Sequence, residues 1–112
     1  MRKPIIGFDP VYFADEEGNI YRNDKMMSPI DNGLGYKQIK LRLNGLRYNR
    51  YIHRLVWEAF NGPVPDGYEI NHINHDKSDN RLINLELVTH SDNLHKAFLQ
   101  YGYFGAMNKP KE

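Results

Sequence analysis

Four polar residues in the C-terminal half of the chain have side chains and a spacing that could support hydrolysis. Asn71 and His72 are adjacent, Asn84 follows His72 by twelve residues, and Asn93 lies nine residues further on. An imidazole with its ordinary pKa of about 6.5 is a suitable general base at neutral pH. Amide oxygens can orient such a ring or face a hard cation. The pattern therefore indicates a candidate site centred on His72.

These side chains need elements that hold them together. The sequence predicts a strand from Tyr68 to Ile73, a polar loop over 74–84, a second strand from Leu85 to Val88, and a helix opened by Thr89 or Ser91. A ββα unit of this kind would bring an imidazole, an orienting amide and two metal-facing oxygens close to each other.

At these residues the stretch NHINHDKSDNRLINLELVTHSDN, together with the preceding HRLVWEAFNGPVP, resembles the HNH endonucleases of the phage and intron-homing type. The resemblance implies that His72 is the general base and that Asn84 holds its ring. It also implies that Asn71 and Asn93 bind a divalent cation, Mg²⁺ or Mn²⁺.

The chain departs from the family pattern at two places. Many relatives have Asp where this chain has Asn71, and Asp-Gly where it has Asn74-His75. An amide oxygen is a weaker cation ligand than a carboxylate, so we expect weaker and more phosphate-dependent metal binding. Asn84 also has a structural alternative, because an Asn before a strand often ties a loop to its own backbone.

Charge is divided along the chain although the formal net charge is only +1. Residues 32–57 contain six Lys or Arg and no acid, whereas residues 58–92 contain seven acids against two basic residues. This asymmetry favours a basic surface for a polyanion in the first half.

The basic segment is predicted to be a β-hairpin. Apolar residues alternate with polar ones before Asn44-Gly45, which favours a type I′ turn. The register then places Arg42 opposite Arg47 and Lys40 opposite Asn49, and like charges facing each other favour contact with phosphates over a merely solvated face. The residues expected to bind double-stranded DNA are Lys40, Arg42, Arg47, Asn49, Arg50 and, on the predicted C-terminal helix, Lys96.

The predicted fold class is α+β, with N-terminal antiparallel β-hairpins followed by a short helix and the C-terminal ββα-metal unit. An early hairpin pairs Val11 to Ala14 with Ile20 to Arg22, residues 26–35 form a loop, and His53 to Phe60 form the helix. His53 is interpreted as a capping or packing residue, with contact to DNA or the active site as the alternative. The expected division is a DNA-contacting region at 1–52, the nuclease region at 53–101 and a tail at 102–112.

The amino-acid composition excludes some kinds of site and some classes of protein. The 112 residues contain no cysteine, so disulfides and cysteine-based zinc sites are excluded. No apolar run is long enough to span a bilayer or resembles a signal peptide, so no membrane association and a cytoplasmic location are expected. The resemblance implies that the protein is encoded by a phage or mobile element and acts in a bacterial host cell. We also expect that the protein can form a homodimer.

Three functions remain open at this point. The leading interpretation is a metal-dependent endonuclease that nicks or cleaves double-stranded DNA. The first alternative is a non-catalytic DNA-binding module on a degenerate HNH frame. The second is a nuclease that acts on RNA, or a toxin-like nonspecific nuclease. No glycine-rich phosphate loop or nucleophile elbow supports another enzyme class.

Overall fold

The computed structural model describes residues 1–91, which form three antiparallel sheets around one α-helix, with a short 3₁₀ helix at Leu82–Asn84. The first sheet has the order β1-β2-β3-β4, the second β5-β6-β7, and the third pairs β8 with β9. The strands are β1 (Arg2–Pro4), β2 (Tyr12–Asp15), β3 (Ile20–Arg22), β4 (Lys25–Met26), β5 (Ile30–Asp31), β6 (Lys37–Leu43), β7 (Leu46–Tyr51), β8 (Tyr68–His72) and β9 (Leu85–Thr89); the helix α1 spans Ile52–Asn61. The combination of antiparallel strands with a helix agrees with the predicted α+β class. His90 and Ser91 are helical, where the C-terminal helix was expected to begin. The rest of that helix, with Asn93 and Lys96, and the expected tail lie outside the described residues.

The β6–β7 hairpin turns at Asn44 and Gly45, which have φ values of 53° and 81°. Two successive residues with positive φ are the signature of a type I′ turn, whose twist matches that of the flanking strands. The resulting register pairs Arg42 with Arg47 and Lys40 with Asn49. This is the register predicted from the Asn44-Gly45 signal.

The N-terminal part contains more strand than its sequence indicated. The hairpin of β2 and β3 was expected, but β1 and β4 extend it on both sides. The prediction of a loop over 26–35 was wrong in part, because Met26 ends β4 and β5 pairs Ile30 with Gln38. Strands of two residues are too short to show an alternating pattern, so no local signal predicts them.

Helix α1 connects the three sheets. It packs against strands β1 and β2 of the first sheet, β6 and β7 of the second and β8 of the third. Its fully buried residues Ile52 and Val56 join Ile20, Ile39 and Leu41 in one hydrophobic core. The helix ends where Gly62, with φ of 89°, donates its backbone N–H to the carbonyl oxygen of Glu58 at 2.8 Å. Because β7 runs directly into α1, the start of the helix is fixed beside the second sheet, and its packing against β8 brings it to the third.

Candidate active site and nucleic-acid face

His72 is the last residue of β8 and is buried, with only 6% of its surface exposed. Its Nε2 lies 2.8 Å from Oδ1 of Asn80, which is equally buried. An amide oxygen can only accept a hydrogen bond, so Nε2 carries the proton when the ring is neutral. The lone pair of the neutral ring is then on Nδ1, where it can accept a proton from water.

Asn80 therefore makes the ring contact that the family resemblance implied for Asn84. The hydrogen bonds of Asn84 lie within the loop between β8 and β9: its Nδ2 donates to Asn74 Oδ1 and to the carbonyl oxygen of Asp79, each at 2.9 Å. Its Oδ1 accepts the backbone N–H of Asn74 at 3.0 Å. Asn84 thus closes the loop, which is the structural alternative for this residue, and it supports Asn80 only through the loop.

Two charged groups stiffen the same loop. Asp79 accepts from Nε of Arg81 at 2.8 Å and from Nη2 at 2.7 Å. The Arg81 hydrogen bonds hold the pKa of Asp79 well below its usual range, so the carboxylate stays ionised at neutral pH. His75, at the turn after β8, has φ of 64°, a conformation that glycine adopts without strain. Glycine would therefore be less strained than histidine at this position.

A cluster of aromatic rings surrounds the candidate base. The rings of His53 and His72 meet edge to face, with 4.8 Å between their centroids. Tyr36 lies 5.8 Å from His53 and 6.2 Å from His72, and Tyr51 lies 5.5 Å from His53. Burial, followed by the positive charges of His72 and Arg54, lowers the pKa of His53 from 6.5 to about 4. His53 is therefore a neutral neighbour of His72 at neutral pH.

An open cleft of about 330 Å³ lies against this cluster. The cleft is lined by His53, three tyrosines, two aliphatic residues, one basic residue and one acidic residue. Besides His53, these residues are Tyr36, Tyr51, Tyr68, Val64, Ile70, Arg54 and Glu69. No local pattern in the sequence indicates this arrangement, because the end of β7, the start of α1 and β8 are brought together only by the tertiary fold.

Residues 50–95 match the HNH endonuclease family. The segment belongs to the HNH endonuclease family. It contains His53, His72, Asn80 and Asn84. The matched segment therefore includes the hydrogen bond between His72 and Asn80 and the ring contact between His53 and His72.

Individual proteins agree with this family assignment. An uncharacterised HNH endonuclease of Acanthamoeba polyphaga mimivirus is 38% identical over 99 residues, which cover 84% of this chain and 24% of that protein. Protein 3.8 of Escherichia phage T7 is 46% identical over 41 residues, or 37% of this chain and 34% of that protein. The solved structure of the HNH homing endonuclease I-HmuI, described as binding and cleaving DNA, matches 91% of this chain with a TM-score of 0.80 and 26% identity. The chain spans 59% of that structure's length.

HNH nucleases generally use a divalent cation, and such a cation requires oxygen ligands. Asn71 precedes the HNH histidine, and its Nδ2 donates to Oε2 of Glu86 at 2.8 Å. This bond fixes the amide group and leaves Oδ1 as a hard oxygen donor, which fits Mg²⁺ or Mn²⁺. The second expected ligand, Asn93, lies outside the described residues. Within residues 1–91, no group of three or more His, Asp or Glu side chains could hold a metal ion.

The basic face of the chain lies on the β6–β7 hairpin. Arg42, Arg47 and Lys40 border a cavity of about 340 Å³ together with Arg22 of β3. None of these four side chains has a carboxylate partner within residues 1–91. Arg22 was not expected here, because its position depends on how the first sheet packs against the second.

Not every predicted DNA-binding residue joins this face. Asn49 pairs with Lys40 and lies beside the arginines. Arg50 pairs with the buried Ile39, and its guanidinium lies 5.1 Å from the Tyr48 ring and 5.5 Å from the Phe8 ring. Alternation along β7 therefore puts Arg50 on the opposite side of the strand from Arg47.

In the described part of the chain, no helix is long and apolar enough to cross a membrane.

Proposed function

We propose that the chain is a metal-dependent endonuclease that nicks or cleaves double-stranded DNA, with His72 as the general base. The observation that carries this proposal is the buried 2.8 Å hydrogen bond between His72 Nε2 and Asn80 Oδ1. It selects the tautomer in which Nδ1 is basic, as water activation requires. Family membership and the structural similarity to a DNA-cleaving homing endonuclease support the same reaction.

In the proposed reaction, the side chains act in sequence on one phosphodiester. His72 Nδ1 takes a proton from a water molecule while the water oxygen forms a bond to phosphorus. The bond from phosphorus to the leaving oxygen then breaks, and that oxygen takes up a proton from solvent. Asn80 keeps the ring in its orientation and stabilises the imidazolium through the Nε2–H bond.

Asn71, and by the family pattern Asn93, would hold the divalent cation. When bound, the cation supplies charge stabilisation at the scissile phosphate and at the leaving oxygen. Glu86 orients Asn71 through the Nδ2 bond. Because Asn71 replaces a carboxylate, we expect the metal to bind weakly until a phosphate completes its ligand set.

The DNA strands would lie against the basic face. Arg42, Arg47, Lys40 and Arg22 line one cavity without carboxylate partners in the described residues, which suits backbone phosphates. Tyr51 lies on the same face of the hairpin, opposite Gln38, and it also lines the cleft beside His53. The hairpin thus connects the basic cavity with the candidate base. The relative from Escherichia phage T7 favours a phage- or mobile-element-borne protein that acts in a bacterial host cell.

A supercoiled-plasmid assay tests the proposal. Wild-type protein should give open-circle or linear DNA with Mg²⁺ or Mn²⁺ and none with EDTA. His72→Ala should lower the rate by about 100- to 10,000-fold, the range for removal of a general base. His75→Asn is the matched control, since Asn tolerates the left-handed backbone and the exposed ring of His75 is not assigned a role. Plasmid that is bound but left intact with every metal would instead support a non-catalytic DNA-binding module.

A further inference from the structure

His53 has a geometry that simple packing does not explain. It is the second residue of α1, and its ring meets that of His72 edge to face at 4.8 Å. Its Nδ1 is buried and has no hydrogen-bond partner in the described structure. A buried polar atom without a partner reduces stability. A phenylalanine ring would fill the same space without that cost, so packing alone favours an aromatic hydrocarbon at this position.

The two nitrogens of His53 lie in different surroundings. Nδ1 is the buried atom, whereas Nε2 makes no hydrogen bond within residues 1–91 and is not among the buried atoms that lack one. His53 also forms part of the wall of the 330 Å³ cleft. The accessible Nε2 therefore lies at the part of the ring that reaches this cleft.

Burial also determines where the proton of the neutral ring lies. Orphaned buried N–H groups are rarer in proteins than buried acceptors with an unused lone pair. The less costly tautomer of His53 therefore leaves Nδ1 as the unprotonated acceptor and puts the proton on Nε2. Because the pKa of His53 is lowered to about 4, mainly by burial, the ring stays neutral at neutral pH. The result is a fixed, uncharged N–H donor beside the candidate base.

We infer that His53 is a catalytic hydrogen-bond donor, whose Nε2–H contacts a non-bridging oxygen of the phosphodiester that His72 hydrolyses. This assignment rests on the proposed endonuclease function. His53 transfers no proton in this role; it stabilises the negative charge that develops on the phosphoryl oxygens. A neutral donor ring whose centroid lies 4.8 Å from that of His72 has a specific advantage, since a second cation there would oppose the protonation of His72 when it accepts the water proton.

Three variants test the assignment in the plasmid assay. His53→Phe keeps an aromatic ring but lacks the donor, and His53→Gln can offer an N–H from its side-chain amide. Val56→Ala is the control for core damage, because Val56 is fully buried on the same helix and has no role at the site. All rates are measured well below the melting temperature of each variant.

We expect His53→Phe to melt at a higher temperature than the wild type, yet to lower kcat by about 100- to 1000-fold, as removal of a transition-state donor does elsewhere. KM for the plasmid should stay within about twofold, because the contact is strongest in the transition state. His53→Gln should recover a substantial part of kcat. Val56→Ala should melt at a lower temperature with kcat unchanged.

A second measurement does not depend on cleavage. The ¹⁵N resonances of the His53 ring should show a neutral Nε2–H tautomer, and addition of duplex DNA with EDTA present should shift the Nε2–H signal. A proton on Nδ1, or full kcat in His53→Phe, would overturn the assignment. If the wild type cleaves no DNA, the proposed function fails through the plasmid assay, and an unshifted Nε2–H signal separately removes His53 from the DNA contact.

Discussion

At the scale of single residues, the candidate site depends on which polar group meets which atom of His72. The sequence correctly indicated a polar loop after β8, but not that Asn80 would reach the ring. Several amides lie in that loop, and spacing alone does not distinguish them. The choice is made by the loop path, which depends on the Asn84 hydrogen bonds and on the left-handed backbone of His75. Local pattern predicts the set of candidates, while tertiary contacts select the partner.

His53 illustrates the same point from the opposite direction. Its position at the start of α1 is readable from the sequence, and a helix-start histidine is usually a packing residue. The contact with His72 joins residues on different elements, so no local sequence pattern predicts it. The buried Nδ1 and the lowered pKa emerge only once the fold places Tyr36 and Tyr51 around the ring.

The lowered pKa of His53 predicts a pH dependence of stability. Between its ordinary value of 6.5 and its folded value of about 4, the unfolded chain binds a proton at this residue and the folded chain does not. The unfolding free energy of the wild type should therefore fall as pH decreases through this window, by up to about 3 kcal/mol from this residue. His53→Phe lacks this contribution, so its stability advantage should grow as pH falls.

Urea unfolding of both proteins at about pH 7 and about pH 5 measures the difference. The other ionisable side chains near the ring, His72, Arg54 and Glu69, are present in both proteins. A constant difference between the two proteins across this range would show that the ring is already charged or not desolvated.

At the scale of secondary-structure elements, the β6–β7 hairpin was the most predictable part of the chain. Its alternating residues and the Asn44-Gly45 signal fix the turn type and the register together. The same alternation separates Arg50 from the other predicted DNA-binding residues of the hairpin. Arg50 lies one residue from Asn49 and therefore on the other side of β7, where aromatic rings hold it. A list of basic residues is thus a poorer guide than their register.

The facing pair Arg42 and Arg47 yields a prediction for DNA binding. Replacing either arginine with Gln should weaken binding of duplex DNA and reduce the slope of log affinity against log salt by about 0.9 for each phosphate that the variant no longer neutralises. Relief of the cross-strand repulsion should raise stability by about 0.2–1 kcal/mol. Fluorescence anisotropy in EDTA at several salt concentrations measures the slope without cleavage.

Lys3→Gln is the control for this experiment, because Lys3 is an exposed residue of β1 outside the basic cavity. It should change the net charge equally and leave the slope nearly unchanged. Equal slopes for Arg42→Gln, Lys3→Gln and the wild type would mean that the hairpin does not contact phosphates.

At the scale of the whole molecule, the first sheet supports the candidate site directly. The β2–β3 turn approaches the loop between β8 and β9, where the carbonyl oxygen of Glu16 accepts the backbone N–H of Leu82 at 2.8 Å. Gly18 lies against Asn80 so closely that a Cβ on Gly18 would come within 2.8 Å of the Asn80 backbone. The N-terminal hairpin showed no functional signal in the sequence, because this contact joins distant parts of the chain.

Gly18→Ala should therefore affect the site from outside it. The residue has φ of 88°, so alanine is strained there, by roughly 1–2 kcal/mol. The added Cβ must also displace the Asn80 backbone and, with it, the hydrogen bond to His72 Nε2. Misplacement of a catalytic group by about 1 Å can cost about 100-fold in rate. We expect kcat in the plasmid assay to fall by about 10- to 100-fold, with DNA affinity retained because the basic cavity is formed by other residues.

Gly33→Ala separates the two effects of this substitution. Gly33 has φ of 86°, so alanine suffers a similar backbone strain, but a Cβ there would meet no atom within 4 Å. Gly33→Ala should lower stability by a similar amount and leave kcat unchanged. If Gly18→Ala and Gly33→Ala give equal rates at a temperature where both are folded, the first sheet stabilises the chain without positioning Asn80. A rate decrease confined to Gly18→Ala would instead establish that the turn between β2 and β3 sets the orientation of His72, since Asn80 is the group that lies between them.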